Sequence, residues 1–126
     1  MDERLEKALK YANYKVTLSN QKENLKTELY EKLVIGINGG LFNITPELIS
    51  FAAMLSEKTD SAVMIDKNNN PVLIEDLSDF VDEIISRYIE ATNFYHQEYE
   101  KLRKARSVSK LIDFNEEKII KDATNE

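Results

Sequence analysis

No cysteine occurs in the chain, which excludes disulfides, thiolate catalysis and cysteine-ligated zinc or iron–sulfur sites. Tryptophan is also missing, and histidine occurs once, at His96. A single imidazole supplies neither a catalytic His with an oriented partner nor a set of convergent metal ligands. Glu98 and Glu100 beside it do not complete a His-Glu-x-x-His pattern. Asn93 stands where the Glu-x-x-His spacing of carboxylate-bridged metal bundles needs a glutamate. His96 therefore reads as a helix-surface residue. Glycine (3) and proline (2) are scarce, so little interrupts long helices. No apolar run approaches the roughly 18 residues that a membrane span requires. Met1-Asp2-Glu3-Arg4 leads straight into charged helix, without an apolar segment of the signal-peptide kind. The expectation is an intracellular protein with no membrane partner.

Charge and apolar spacing remain as the main signals. The 126 residues carry a net charge of −6 and are 42% hydrophobic, enough to bury a core within one domain. The negative field disfavours non-specific adhesion to phosphates. Residues 2–34 read as one helix capped by Asp2. Leu5, Leu9, Ala12 and Val16 share a stripe, and Leu18, Leu25, Leu29 and Leu33 form a second, rotated from the first. The polar stretch Ser19 to Asn24 between them reads as a register break or a lightly packed turn.

All three glycines fall at 36, 39 and 40, where Asn38-Gly39-Gly40 signals a turn between short strands at 34–37 and 41–44. The glycines mark backbone freedom and not a phosphate loop, because no Gly-Lys-Ser/Thr follows. Thr45-Pro46-Glu47 starts a helix that runs to about Glu57 and reads as largely buried. Ala62 to Ile65 and Val72 to Ile74 form a hairpin around Asp66-Lys67-Asn68-Asn69-Asn70-Pro71. Asp66, Asn68 and Asn70 match the start of a calcium loop. Pro71 and Leu77 stand where its Gly and Glu should be, and a turn fits better.

A second long helix runs from about Glu75 to Arg106. Leu77, Val81, Ile84, Tyr88, Ala91, Tyr95, Leu102 and Ala105 follow four-three spacing, with Glu98 the one polar member. The predicted fold is α+β and mostly α: two long antiparallel helices flanking a small head with a short helix and a β-hairpin. Residues 1–112 form a single domain. Residues 113–126 form a partly flexible tail; Ser107 to Glu126, with Val108, Leu111, Ile112, Phe114, Ile119 and Ile120 among charges, reads as a short docking helix that frays from Asp122.

Neither a catalytic residue nor a cofactor or metal site emerges, so the chain reads as a non-enzyme. Two surfaces do. Tyr88, Tyr95 and Tyr99 crowd the second long helix, and Tyr11 and Tyr14 the first. Such rings either cross-pack within the helix pair or form a partner interface. Lys101, Arg103, Lys104, Arg106 and Lys110 form a basic cluster. It either balances the helix macrodipole, binds phosphate, or is clasped by Asp113, Glu116 and Glu117.

Met1-Asp2-Glu3-Arg4-Leu5-Glu6-Lys7-Ala8-Leu9, Asn-Gln-Lys-Glu-Asn-Leu-Lys at 20–26 and Lys-Ala-Arg-Ser-Val-Ser-Lys-Leu at 104–111 carry a further signal. Together they resemble small uncharacterised proteins of marine contractile-tailed (myovirus-type) bacteriophages, over roughly residues 1–112. That resemblance implies a phage accessory protein in an infected bacterial cytoplasm or associated with the virion, and it carries over no site residues. The helix–hairpin–helix plan is also similar in shape to prefoldin-type chaperone subunits, from which the extra helix at 46–57 departs. The expected function is assembly or protein–protein interaction, as a homo-oligomer or with a phage or host protein. The alternative is an accessory factor of nucleic-acid transactions, binding DNA, RNA or polymerase through the basic helix end.

Overall fold

The computed structural model describes residues 2–105. The order is α1 (Glu3–Lys32), β1 (Val34–Ile37), β2 (Gly40–Asn43), α2 (Pro46–Lys58), β3 (Ala62–Ile65), β4 (Pro71–Ile74) and α3 (Leu77–Lys104). The fold is α+β, dominated by the two long helices. It holds two antiparallel hairpins where one was expected, because the short runs on either side of Asn38-Gly39 also pair. The chain divides into two compact units, one of Met1–Thr27 with Tyr95–Glu126, the other of Glu28–Phe94. Both long helices contribute to both units.

In the 28–94 unit, Ile37 pairs with Gly40, leaving a two-residue turn. Asn38 (φ 49°) and Gly39 (φ 82°) both take positive φ. This is the type I′ geometry that matches strand twist and that Asn-Gly adopts most readily. Gly40 has a different reason to be glycine: a Cβ there would run into the Val72 side chain. Ile35, Phe42 and Ile44 point inward from the first hairpin, and Met64, Val72 and Ile74 from the second. They pack with Leu33, Ala52, Leu77, Phe80, Ile84 and Ala91 into one core. Phe42 and Phe80 meet edge to face, with centroids 5.6 Å apart.

α2 begins as its sequence dictates. The Thr45 hydroxyl accepts from the Leu48 N–H at 3.1 Å, and Pro46 fills the first helical position. Replacing Thr45 with Ala leaves that N–H unpaired and should cost about 1 kcal/mol, read as a lower urea midpoint with an unchanged slope. The expectation that α2 is largely buried does not hold. Only Ala52 is buried, with Leu48, Ile49 and Leu55 half-covered, while Phe51 and Met54 are exposed. Apolar residues spread around a helix cannot all face one core.

In the other unit, the stretch of α1 from Tyr14 to Leu25 runs antiparallel to residues 95–104 of α3. The Tyr14 hydroxyl donates to the Ala105 carbonyl at 2.7 Å. Further along, the Lys22 ammonium sits 5.5 Å from the centre of the Tyr99 ring. Leu25 and Leu102 are fully buried there. The helix continues without interruption through Ser19–Asn24, so the change of register is a change of face and not a turn. On α3, every position of the four-three seam is buried or half-buried, Glu98 included. The Lys101 ammonium covers the Glu98 carboxylate at 3.3 Å.

Candidate interaction surfaces

α1 carries two apolar stripes, and only one is used. The inner stripe consists of Tyr14, Leu18, Gln21 and Leu25, all half-buried or buried. The outer stripe of Leu5, Leu9, Ala12 and Val16 is exposed, its three larger members by 51%, 55% and 60%. At 3.6 residues per turn the two stripes lie roughly 180° apart on the helix. They follow one another along the helix: opposite Leu5, Leu9 and Ala12 stand Glu3, Lys7 and Lys10, all exposed. Among the described residues, α3 is the one helix that packs on α1 in this unit.

The second exposed apolar surface belongs to the 28–94 unit. Val63 lies opposite Leu73, and Ile65 opposite Pro71, on the outward face of the second hairpin. All four are exposed. Neither strand contains a charged residue, so this face lacks the charges that usually guard a small sheet.

The five tyrosines proposed from the sequence separate into two groups. Tyr14, Tyr88, Tyr95 and Tyr99 are half-buried. Tyr14 is tied to Ala105, Tyr88 packs against the core of its unit, and Tyr95 and Tyr99 stack with centroids 6.0 Å apart. These rings serve chiefly as internal packing. Tyr11 is exposed, with the Lys15 ammonium 5.6 Å from its ring centre.

The basic helix end is partly neutralised by its own helix. Arg103 donates to both carboxylate oxygens of Glu100, from Nη2 to Oε2 at 2.8 Å and from Nε to Oε1 and Oε2 at 3.1 and 3.3 Å. That guanidinium holds the Glu100 carboxyl below its ordinary pKa. Lys101 is held by Glu98, and Lys104 lies exposed within electrostatic reach of Glu100. Arg106 and Lys110 lie outside the described residues, as do the proposed clasp of Asp113, Glu116 and Glu117, the docking helix and the tail from 113.

Asp66 is a residue whose role the local sequence only half reveals. Its carboxylate is buried, and Oδ1 accepts from the Asn68 and Asn70 N–H groups, both at 2.9 Å. Oδ2 accepts from the Leu41 N–H of the other hairpin at 3.0 Å. The Lys67 N–H donates to the Leu41 carbonyl at 2.9 Å, and the Asn38 side-chain amide to the Leu73 carbonyl at 2.7 Å. Asp66 thus organises its own loop and ties the two hairpins together. The Leu41 N–H first, then those of Asn70 and Asn68, hold its carboxyl below the ordinary range.

One groove of about 480 Å³ runs beside Lys32, Glu83, Arg87, Glu90 and Phe94. Three of its four charges are engaged: Arg87 pairs with Glu83 at 2.7 Å, and Lys32 lies over the Phe94 ring. His96 is exposed. No group of three or more His, Asp or Glu side chains converges among the described residues. No described helix is long and apolar enough to cross a membrane. No family model, curated protein or solved structure matches the chain.

Proposed function

We propose that this chain is a non-enzymatic interaction protein that acts in assembly, as a homo-oligomer or with another protein. The observation that carries this reading is the outer stripe of α1. It is apolar and helical in spacing, and its larger members Leu5, Leu9 and Val16 are exposed. Holding such a stripe in water forgoes roughly 25 cal/mol for each Å² of apolar surface that a partner would cover. The sequence resemblance supports a setting in phage infection, as a structural, scaffolding or assembly factor in the host cytoplasm or the virion.

The alternative, nucleic-acid binding through the end of α3, draws less support. Lys101 and Arg103 are already paired with carboxylates of their own helix. The two readings separate in one set of measurements. Solution mass over a wide concentration range, coupled to capture of phage and host proteins, should reveal an oligomer or a defined partner. A strict monomer that captures neither would overturn the assembly reading. Binding to DNA or RNA at low salt, lost on charge reversal of Arg103, Lys104 and Arg106, would establish its rival.

A further inference from the structure

We propose that one cationic side of α1 binds single-stranded nucleic acid, with phosphates on its lysines and bases on the tyrosines beside them. This inference goes beyond the assembly reading and does not depend on it. It starts from the distribution of charge. Residues 28–94 hold twelve acidic residues against four basic ones. In the helix-pair unit, residues 2–27 and 95–105 together hold nine basic residues against six acidic ones. The net charge of −6 therefore conceals a region of the opposite sign, where repulsion of phosphates is weakest.

Along α1 the positive charge gathers on one side. Arg4, Tyr11, Lys15, Lys22 and Lys26 lie within about 60° of one another around the helix, between the outer and inner stripes. Ala8, Leu18 and Ser19 share that side, so it carries no acid. Glu23 stands at its margin, beside a groove of about 280 Å³ that Lys15, Leu18, Ser19 and Lys22 also line. None of Arg4, Lys15, Lys22 and Lys26 is ion-paired among the described residues. From Arg4 to Lys26 the line runs about 33 Å. Such a line suits a polymer that repeats its negative charge.

The tyrosines select the ligand. The Lys15 ammonium stands 5.6 Å from the centre of the Tyr11 ring, and the Lys22 ammonium 5.5 Å from that of Tyr99 on α3. Tyr99 also stacks on Tyr95, and both rings are only half-buried. A lysine ammonium is a point charge on a flexible stem. Turning it from ring to phosphate opens the ring face to a base. An acidic peptide would use the charges and leave the rings idle. A duplex keeps its base faces stacked inside, so the strand is single.

The absence of tryptophan makes tyrosine the intrinsic fluorophore, and stacking is read directly. Labelled oligo(dT) and oligo(U) of about 20 nucleotides, titrated with the full-length chain, should bind and quench tyrosine emission. With four phosphate contacts, affinity should fall about 50-fold between about 50 and 200 mM salt, a log–log slope of about −3. Lys15→Glu combined with Lys26→Glu reverses two exposed charges. It should weaken binding about tenfold or more with the melting temperature unchanged. The milder Lys15→Gln should make the slope shallower by about 0.7. Tyr11→Leu should weaken binding about tenfold and reduce the quenching. Lys104→Glu with Arg106→Glu should weaken it much less.

No binding at the lower salt would overturn the proposal and leave the assembly reading to its own mass measurement. Binding lost on reversal of Lys104 and Arg106, but not of Lys15 and Lys26, would move the site to the end of α3 and overturn this one. Tighter binding of a duplex, or equal binding of polyglutamate, would overturn the choice of ligand. So would binding that leaves tyrosine emission unchanged.

Discussion

Truncating Leu25 to alanine is expected to cost about 2–5 kcal/mol of unfolding free energy. The side chain is fully buried, so its loss removes both transfer free energy and the contacts of the surrounding atoms. Against a total stability of about 5–15 kcal/mol for a domain, this is a large fraction. Leu9→Ala, on the same helix, should change stability by no more than about 0.5 kcal/mol, because Leu9 is exposed. Denaturant titrations of the two variants measure the difference between two faces of one helix. They must be run dilute, where no self-association adds to the stability of the wild type. Equal effects at the two positions would mean that the outer stripe is not free.

The second large effect belongs to Asp66. Asp66→Ala leaves the N–H groups of Leu41, Asn68 and Asn70 without their acceptor and releases the tie between the hairpins. A clear fall in melting temperature is expected. Asp66→Asn should fall less, since one oxygen can still accept from the loop. The pH dependence has a definite sign. Because the folded-state pKa is depressed, the stabilisation is fully present above the unfolded value of about 3.9. It is lost as the pH falls from there through the folded value. Acid should therefore lower the melting temperature of the wild type more than that of Asp66→Asn. Parallel acid profiles for the two proteins would show that the carboxylate is not what holds the hairpins.

The seam of α3 was fully legible, because a regular spacing sustained from Leu77 to Ala105 leaves a helix one way to bury its apolar residues. Thr45-Pro46 and Asn38-Gly39 were legible for a different reason: each acts on backbone atoms within four residues of itself. Legibility ended where distance along the chain began. Asp66 was readable as a turn residue, but nothing local shows that its second oxygen reaches Leu41, 25 positions earlier. Tyr14 and Tyr95 were legible as helix-face aromatics, whereas their packing depends on what the opposing helix presents. The burial of α2 depends on which face each apolar residue occupies, and its apolar content alone does not carry that: Phe51 and Met54 fall on the side away from the core. The outer stripe of α1 was visible as a rotation of register, and the structure adds that the rotation carries it to the far side.

The hydrogen bond between Tyr14 and Ala105 joins residues 91 positions apart, while each hairpin closes over a handful of residues. Bringing distant segments together costs loop entropy that grows with the length enclosed, and a folded region between them shortens the effective loop. Contacts within 28–94 can therefore form first and draw the two chain ends into reach of each other. The pairing of residues 14–25 with 95–105 is left as a late, low-cost step. The same order in reverse makes it the first part to open. The helix that carries the outer stripe is thus anchored, from Tyr14 onward, by the contacts that form last.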